Sequence, residues 1–364
     1  MRLKALDALR GIAALMVVLY HCWQTLDGTL ADSMRAVLLY TPLKPVVGAR
    51  PAVVLFFVLS GFVLALALRR EPGWRRFALR RVARIWLPFA FSVALSAMLY
   101  LALTPQPVAG ANAWFNGDPW AMPLTPAVLV RHLLMLGDVE GTRLNVVMWS
   151  LVYELRLSLV FPLLLGLAAL PLRWLVPGML AFQLAVDGAL RAAGLPLAPF
   201  HGEGGLAALL TTLHFANCFL MGCALALRLA AITAALRRLP AWAFAGLWLP
   251  AMALQMPSVD VTCTLGAGLM IMLALARPGV LEARPLLWLG RISYSLYLVH
   301  VPVLLAVVHG LAGLVPVPWA VALVPGLSLL AGWGTYVAVE APAAAWARRL
   351  GGSSSTATPR VAVA

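Results

Sequence analysis

Residues 52–68 read AVVLFFVLSGFVLALAL, seventeen positions without a charge, bounded by Arg50 and Pro51 before and Arg69 and Arg70 after. As a helix this stretch is about 25 Å long, close to the hydrocarbon thickness of a bilayer. It reads as a membrane span, and the flanking sequence repeats the pattern. Apolar runs recur at roughly 6–23, 83–103, 149–169, 174–190, 206–228, 241–256, 260–276, 287–309 and 319–340. The 364 residues are 63% apolar and 11% charged, with a mean hydropathy of +0.92. So few charges cannot cover a water-soluble surface, which excludes soluble, disordered and coiled-coil classes. The expected fold is all-α: a polytopic helical bundle of about ten transmembrane helices over residues 1–348, followed by a polar, disordered tail over 349–364.

Charge placement sets the orientation. With a cytoplasmic N-terminus, one face collects 20 basic and four acidic residues, including seven arginines between Arg69 and Arg84. The other collects six basic residues, among them Arg35, Arg50 and Arg131, against eight acidic ones. This bias predicts both termini in the cytoplasm and a multi-pass protein of the inner (cytoplasmic) membrane. The net charge of +14 is thus a topology signal and implies lipid, not nucleic acid, as the partner. The N-terminus resembles a signal peptide, but no small-residue cleavage site follows, so it reads as a retained first span. Cys22, Cys218, Cys223 and Cys263 all fall in apolar runs with no CxxC pair, which suits small core residues and no metal site. Two outer loops are long, about 24–51 and 104–148, and Thr125-Pro126 marks a helix start in the second.

Polar side chains inside a bilayer cost about 2.5–3.5 kcal/mol each, so each needs a reason. Arg10 and His21 are eleven residues apart, which places them on one face of the first helix, separated by about 16 Å. Arg80, Arg81 and Arg84 open the third span and could hold a phosphorylated ligand, whereas Arg69 to Arg76 suit anionic lipid headgroups. Ser150, Glu154 and Ser158 recur every four residues and form one stripe. Glu154 and Arg156, two apart, point to different faces, which leaves Glu154 for another helix. Ser293, Tyr297 and His300 form a second stripe, with His300 near the depth of His21. Glu340 closes the last span, with Arg10 or Arg84 as its candidate partner. His214 and Asn217 read as ordinary interhelical hydrogen bonding. His132, His201 and His309 lie near interfaces or in loops.

These motifs together resemble membrane-bound acyltransferase family 3, whose members modify surface glycans and related molecules. The resemblance runs over about residues 4–346. It is carried by Leu6-Asp-Ala-Leu-Arg10-Gly with His21, Phe57-Val-Leu-Ser60-Gly61-Phe and Arg81-Val-Ala-Arg84. It continues through Trp149-Ser-Leu-Val-Tyr-Glu154, Tyr294-Ser-Leu-Tyr-Leu-Val-His300 and Glu340-Ala-Pro342. The resemblance implies about ten helices, an acyl-coenzyme A donor taken from the cytoplasm, and transfer to a hydroxyl of a sugar-containing acceptor such as a surface polysaccharide or lipid-linked sugar. It implies that the Arg10/His21 and Arg81/Arg84 pairs are essential. Trp149, Ser150 and Tyr297 become candidates for substrate binding, with Ser60 and Glu340 in support.

The chemistry of the residues fits that implication. A thioester is already activated, so the protein must deprotonate a hydroxyl, stabilise an oxyanion and hold both reactants. His21 is the candidate general base, worth about 100- to 10,000-fold. Arg10, Arg80, Arg81 and Arg84 suit the phosphates of the donor, acetyl-coenzyme A in the simplest case, or the cytoplasmic mouth. His300, Glu154, Ser150 and Tyr297 are candidates for oxyanion stabilisation, support of His21 or acceptor binding. A transiently acylated residue is an alternative route. A glycan or lipid flippase would also need a polar path, but would carry paired half-sequences with broken spans, and none is found. A small secondary metabolite is an alternative acceptor.

Overall fold

A computed structural model of the protein describes residues 3–41, 44–69, 73–121, 123–135, 143–197 and 204–349. The described residues are all-helical, without a strand. The main helices are α1 (Lys4–Leu26), α2 (Ala49–Leu68), α3 (Trp74–Leu103), α4 (Met148–Leu159) and α5 (Phe161–Ala168). They continue with α6 (Leu172–Ala192), α7 (Gly204–Leu227), α8 (Asp260–Ala276), α9 (Arg284–Gly310) and α10 (Val317–Thr335). Most of the tail expected over 349–364 lies outside the described residues, as do Arg2, Arg70, His201 and Arg360.

Among the described residues, seven helices are long and apolar enough to cross a membrane: α1, α2, α3, α6, α7, α9 and the run from α10 to Ala347. An eighth is counted if α4 and α5 form one span, but they meet at a 70° bend. Pro162 lies in the first turn of α5 and withholds the backbone N–H that a continuous helix would donate there. The run expected at 241–256 is divided into two short helices, Ala241–Gly246 and Trp248–Ala253, while α8 has 17 residues. Among the described residues, length and composition alone thus qualify seven or eight of the ten apolar runs as single spanning helices.

The bundle core is aromatic: Phe57, Phe62, Phe89, Phe161, Phe215 and Phe219 are all fully buried. Leu163, Trp174, Trp319 and Leu330 instead point outward, as side chains facing lipid must.

Two glycine crossings decide which helices meet. At the α1–α9 crossing a Cβ on Gly290 would overlap the Asp7 carbonyl, and one on Gly11 would meet the Gly290 backbone. At the α2–α7 crossing a Cβ on Gly61 would overlap the Phe219 carbonyl, and one on Gly222 that of Val58. Without a strong hydrophobic drive between helices in lipid, such backbone approach supplies the packing attraction. Arg10, Ser60 and Arg291 are the immediate neighbours of these glycines, so the crossings also gather the polar residues.

Candidate active site

Arg10 and His21 occupy one uninterrupted helix, α1, so the face relation predicted from their spacing holds. Arg10 borders a cavity of about 640 Å³ together with Arg81 and Arg84 of α3 and Arg291 of α9. Asp7, Glu154 and Glu340 line the same cavity and oppose these cations. Arg84 is exposed to it, whereas Arg80 is not among the lining residues.

Glu154 closes the inner end of the cavity. Its Oε1 accepts a 2.6 Å hydrogen bond from Ser60 Oγ and forms an ion pair with Arg81 Nη2. Arg81 Nε donates to Ser158 Oγ at 3.3 Å. The carboxylate thus ties α2, α3 and α4 together, consistent with its turning away from Arg156, whose guanidinium lies 5.5 Å from the Tyr153 ring. Glu340 sits at the end of a π-helical turn, Tyr336–Glu340, and accepts from Ser295 N (3.1 Å) and Ser295 Oγ (2.6 Å). It shares the cavity with Arg10 and Arg84, but these hydrogen bonds go to Ser295.

Beyond Glu154 a much narrower gap, about 40 Å³, is bordered by Ser60, Ser150, Ser293 and Tyr297. Ser150 Oγ and Tyr297 Oη are 2.7 Å apart, and the Tyr297 ring centre is 6.0 Å from that of His300. Trp149, expected with the substrate, packs against Phe57 and Phe215 instead, 6.4 and 5.8 Å between ring centres.

Next to Tyr297 two histidines meet. His300 Nε2 is 3.2 Å from His21 Nδ1, and both residues are buried. His21 Nδ1 is also 2.9 Å from the Val17 carbonyl, and His300 Nδ1 is 3.2 Å from that of Leu296. A carbonyl oxygen only accepts, so in the neutral rings each Nδ1 carries the hydrogen. This assignment rests on the hydrogen-bond network. The single His21 Nδ1–H is then shared between the Val17 carbonyl and His300 Nε2, which leaves His21 Nε2 as the nitrogen with a free lone pair.

Sequence reading did not single out Trp114, whose ring lies 5.5 Å from His21. It sits on a short helix, Ala113–Gly117, capped by Asn112 Oδ1, which accepts from Phe115 N at 3.0 Å. Asn112 N donates to Thr25 O at 3.1 Å, which docks the cap on α1. The Thr125-Pro126 start is realised as Pro126–Leu133, with Thr125 Oγ1 accepting from Val128 N. His132 accepts from Leu144 N at 3.1 Å and His309 stacks on Trp120, so both serve packing.

A second buried network was also unforeseen. Arg50 and Asp260, read as outer-loop charges, are paired inside the bundle, with Nε to Oδ1 at 2.7 Å. They are only 7% and 8% exposed. Asp260 Oδ2 also meets His214 Nε2 at 2.6 Å, and Gln183 contacts both His214 and Asn217. The interhelical bonding expected of His214 and Asn217 is therefore present, but built around an ion pair. The four cysteines are free and buried, and among the described residues no group of three or more His, Cys, Asp or Glu could hold a metal ion.

Comparison with known proteins shows the family. The family model Acyl_transf_3, described as an acyltransferase domain, matches residues 3–337. "Acyltransferase MdmB" of Streptomyces mycarofaciens is 29% identical over 210 residues, 54% of this chain and 51% of that protein. The chain thus matches about half the length of that relative. "Protein 2 in picA locus" of Rhizobium radiobacter is 28% identical over 172 residues, 44% of this chain and 81% of that protein. No solved structure matches. With nearly its whole length matched, and with several helices long and apolar enough to cross a membrane, the chain belongs to acyltransferase family 3.

Proposed function

We propose that the protein is an O-acyltransferase that moves an acyl group, acetyl in the simplest case, from acyl-coenzyme A to a hydroxyl of a sugar-containing acceptor such as a surface polysaccharide. The observation that carries this reading is the contact of His21 with His300, whose ring lies 6.0 Å from that of Tyr297 in the gap beside the arginine-lined cavity. Guanidinium groups pair phosphate in a bidentate way, so Arg10, Arg81 and Arg84 suit the donor's phosphates. In the reaction His21 Nε2 takes the hydroxyl proton as the acceptor oxygen bonds to the thioester carbonyl carbon. The tetrahedral intermediate then collapses, the C–S bond breaks, and the thiolate leaves with the proton held by His21. Products are the ester and free coenzyme A. Tyr297, beside His300, and its partner Ser150 are the hydroxyl donors proposed for the oxyanion.

The ten apolar runs support a bundle of about ten spans, and the charge bias supports both termini and the arginine cavity on the cytoplasmic side of the inner membrane. The acceptor then approaches from the opposite side, over Trp114. Thiol release from acetyl-coenzyme A by membranes carrying the protein, compared with membranes carrying His21→Ala, tests the reading. Equal release from both contradicts it.

A further inference from the structure

Pro302 lies inside α9 and has no N–H, so the Leu298 carbonyl four residues earlier lacks its helical donor. That carbonyl sits in the turn carrying His300, and Leu298 is fully buried, out of reach of water. A buried acceptor left without a donor is costly, and the turn would distort to find one. The missing bond comes from another part of the chain. Asn145 Nδ2 donates to Leu298 O at 2.9 Å across 153 residues. The same nitrogen donates to Ser92 Oγ at 3.2 Å, while Ser92 donates onward to Phe89 O. Because Leu298 O can only accept, the atom facing it must be the amide nitrogen, which fixes the amide's orientation. Asn145 is itself fully buried.

The neighbouring contacts reinforce this clamp. Tyr297 Oη donates to Val147 O at 3.4 Å and meets Ser150 Oγ. The segment 145–150 therefore grips α9 at two consecutive residues, 297 and 298, directly before His300. We propose that Asn145 is a positioning residue: it replaces the backbone donor deleted by Pro302 and so holds the His300 turn in register with His21. Proline removes one backbone bond where the helix needs its polar ring turned inward, and an asparagine from the outer loop restores it. The inference of a catalytic effect rests on the proposed acyl transfer. The capping itself does not.

A double-mutant cycle separates the two, because Pro302→Ala restores an N–H to Leu298 O. Purified full-length protein is compared as wild type, Asn145→Ala, Pro302→Ala and the double variant, by melting temperature in detergent and by thiol release from acetyl-coenzyme A. Asn145→Ala is expected to lower both the melting temperature and kcat, the latter about tenfold or more, as for one lost hydrogen bond of about 1.4 kcal/mol, with the donor KM changed less than twofold. In the Pro302→Ala background the same substitution is expected to change kcat less than threefold and to lower the melting temperature by clearly less than in the Pro302 background, the remainder being the lost Ser92 bond and packing. Equal losses in both backgrounds overturn the capping. A rescued melting temperature with an unrescued kcat overturns the positioning of His300. Wild-type protein that releases no thiol contradicts the acyl-transfer reading alone, and the melting-temperature cycle still decides the capping.

Discussion

His21 and His300 are 279 residues apart in sequence, yet His300 Nε2 lies 3.2 Å from His21 Nδ1. The contact joins the first spanning helix to the ninth labelled helix, next to Tyr297.

Arg81 and Arg84 should act on the donor. Arg84→Ala is expected to raise the KM for acetyl-coenzyme A about 10- to 100-fold, as for a lost charge-assisted hydrogen bond of roughly 1.5–3 kcal/mol. Arg81→Ala should do the same and also lower abundance, because it strands the half-buried Glu154 carboxylate. Initial rates at varied donor concentration check this. A normal donor KM in both variants places the donor elsewhere.

The glycine crossing makes a prediction about assembly. Gly290→Ala pushes a methyl into the Asp7 carbonyl, a backbone atom that cannot swing aside. Little full-length protein should accumulate in membranes, whereas Gly178→Ala, where nothing lies within 4 Å, should accumulate normally. Immunoblotting of membrane fractions gives the comparison.

The Arg50–Asp260 pair is a structural centre whose removal should be asymmetric. Arg50→Leu alone leaves a buried carboxylate and should destabilise by about 3–5 kcal/mol, whereas Arg50→Leu with Asp260→Leu should recover much of that loss. Melting temperatures in detergent measure the recovery. A double variant no better than Arg50→Leu contradicts the pairing.

Orientation is testable without activity. In a cysteine-free background, a cysteine at Gly73 should resist an impermeant thiol reagent applied to intact cells, and one at Asn112 should label. The reverse pattern inverts the topology and the side from which the donor enters.

Spacing made much of the site legible. Arg10 and His21, or Ser293, Tyr297 and His300, share a face because a helix repeats every 3.6 residues, and a polar stripe in an apolar helix must face protein. Helical spacing does not say which stripes meet. Glu154 was free of Arg156 by angle alone, but its choice of Arg81 and Ser60 depends on helix neighbours. Arg50 and Asp260 were misplaced because a charge at the end of an apolar run reads alike whether it reaches water or a partner. Asn145 and Trp114 lie in a long loop, where no periodicity marks the inward side chains. Pro302 was not singled out in the sequence, and only the tertiary fold shows that Asn145 supplies the donor its turn lacks. The bend near Val160 divides an apolar run that hydropathy reads as continuous.

The mechanism turns on which histidine is the base. The most direct measurement compares acyl transfer from acetyl-coenzyme A by His21→Ala, His21→Gln, His300→Ala and His300→Gln at equal membrane abundance. Glutamine at 300 can still accept the His21 Nδ1–H bond through its amide oxygen, so His300→Gln should keep part of the activity that His300→Ala loses. Glutamine at 21 has no basic nitrogen, so His21→Gln should fall at least about 100-fold, level with His21→Ala. A surviving His21→Gln beside a His300→Gln as inactive as His300→Ala would contradict the assignment and make His300 the base.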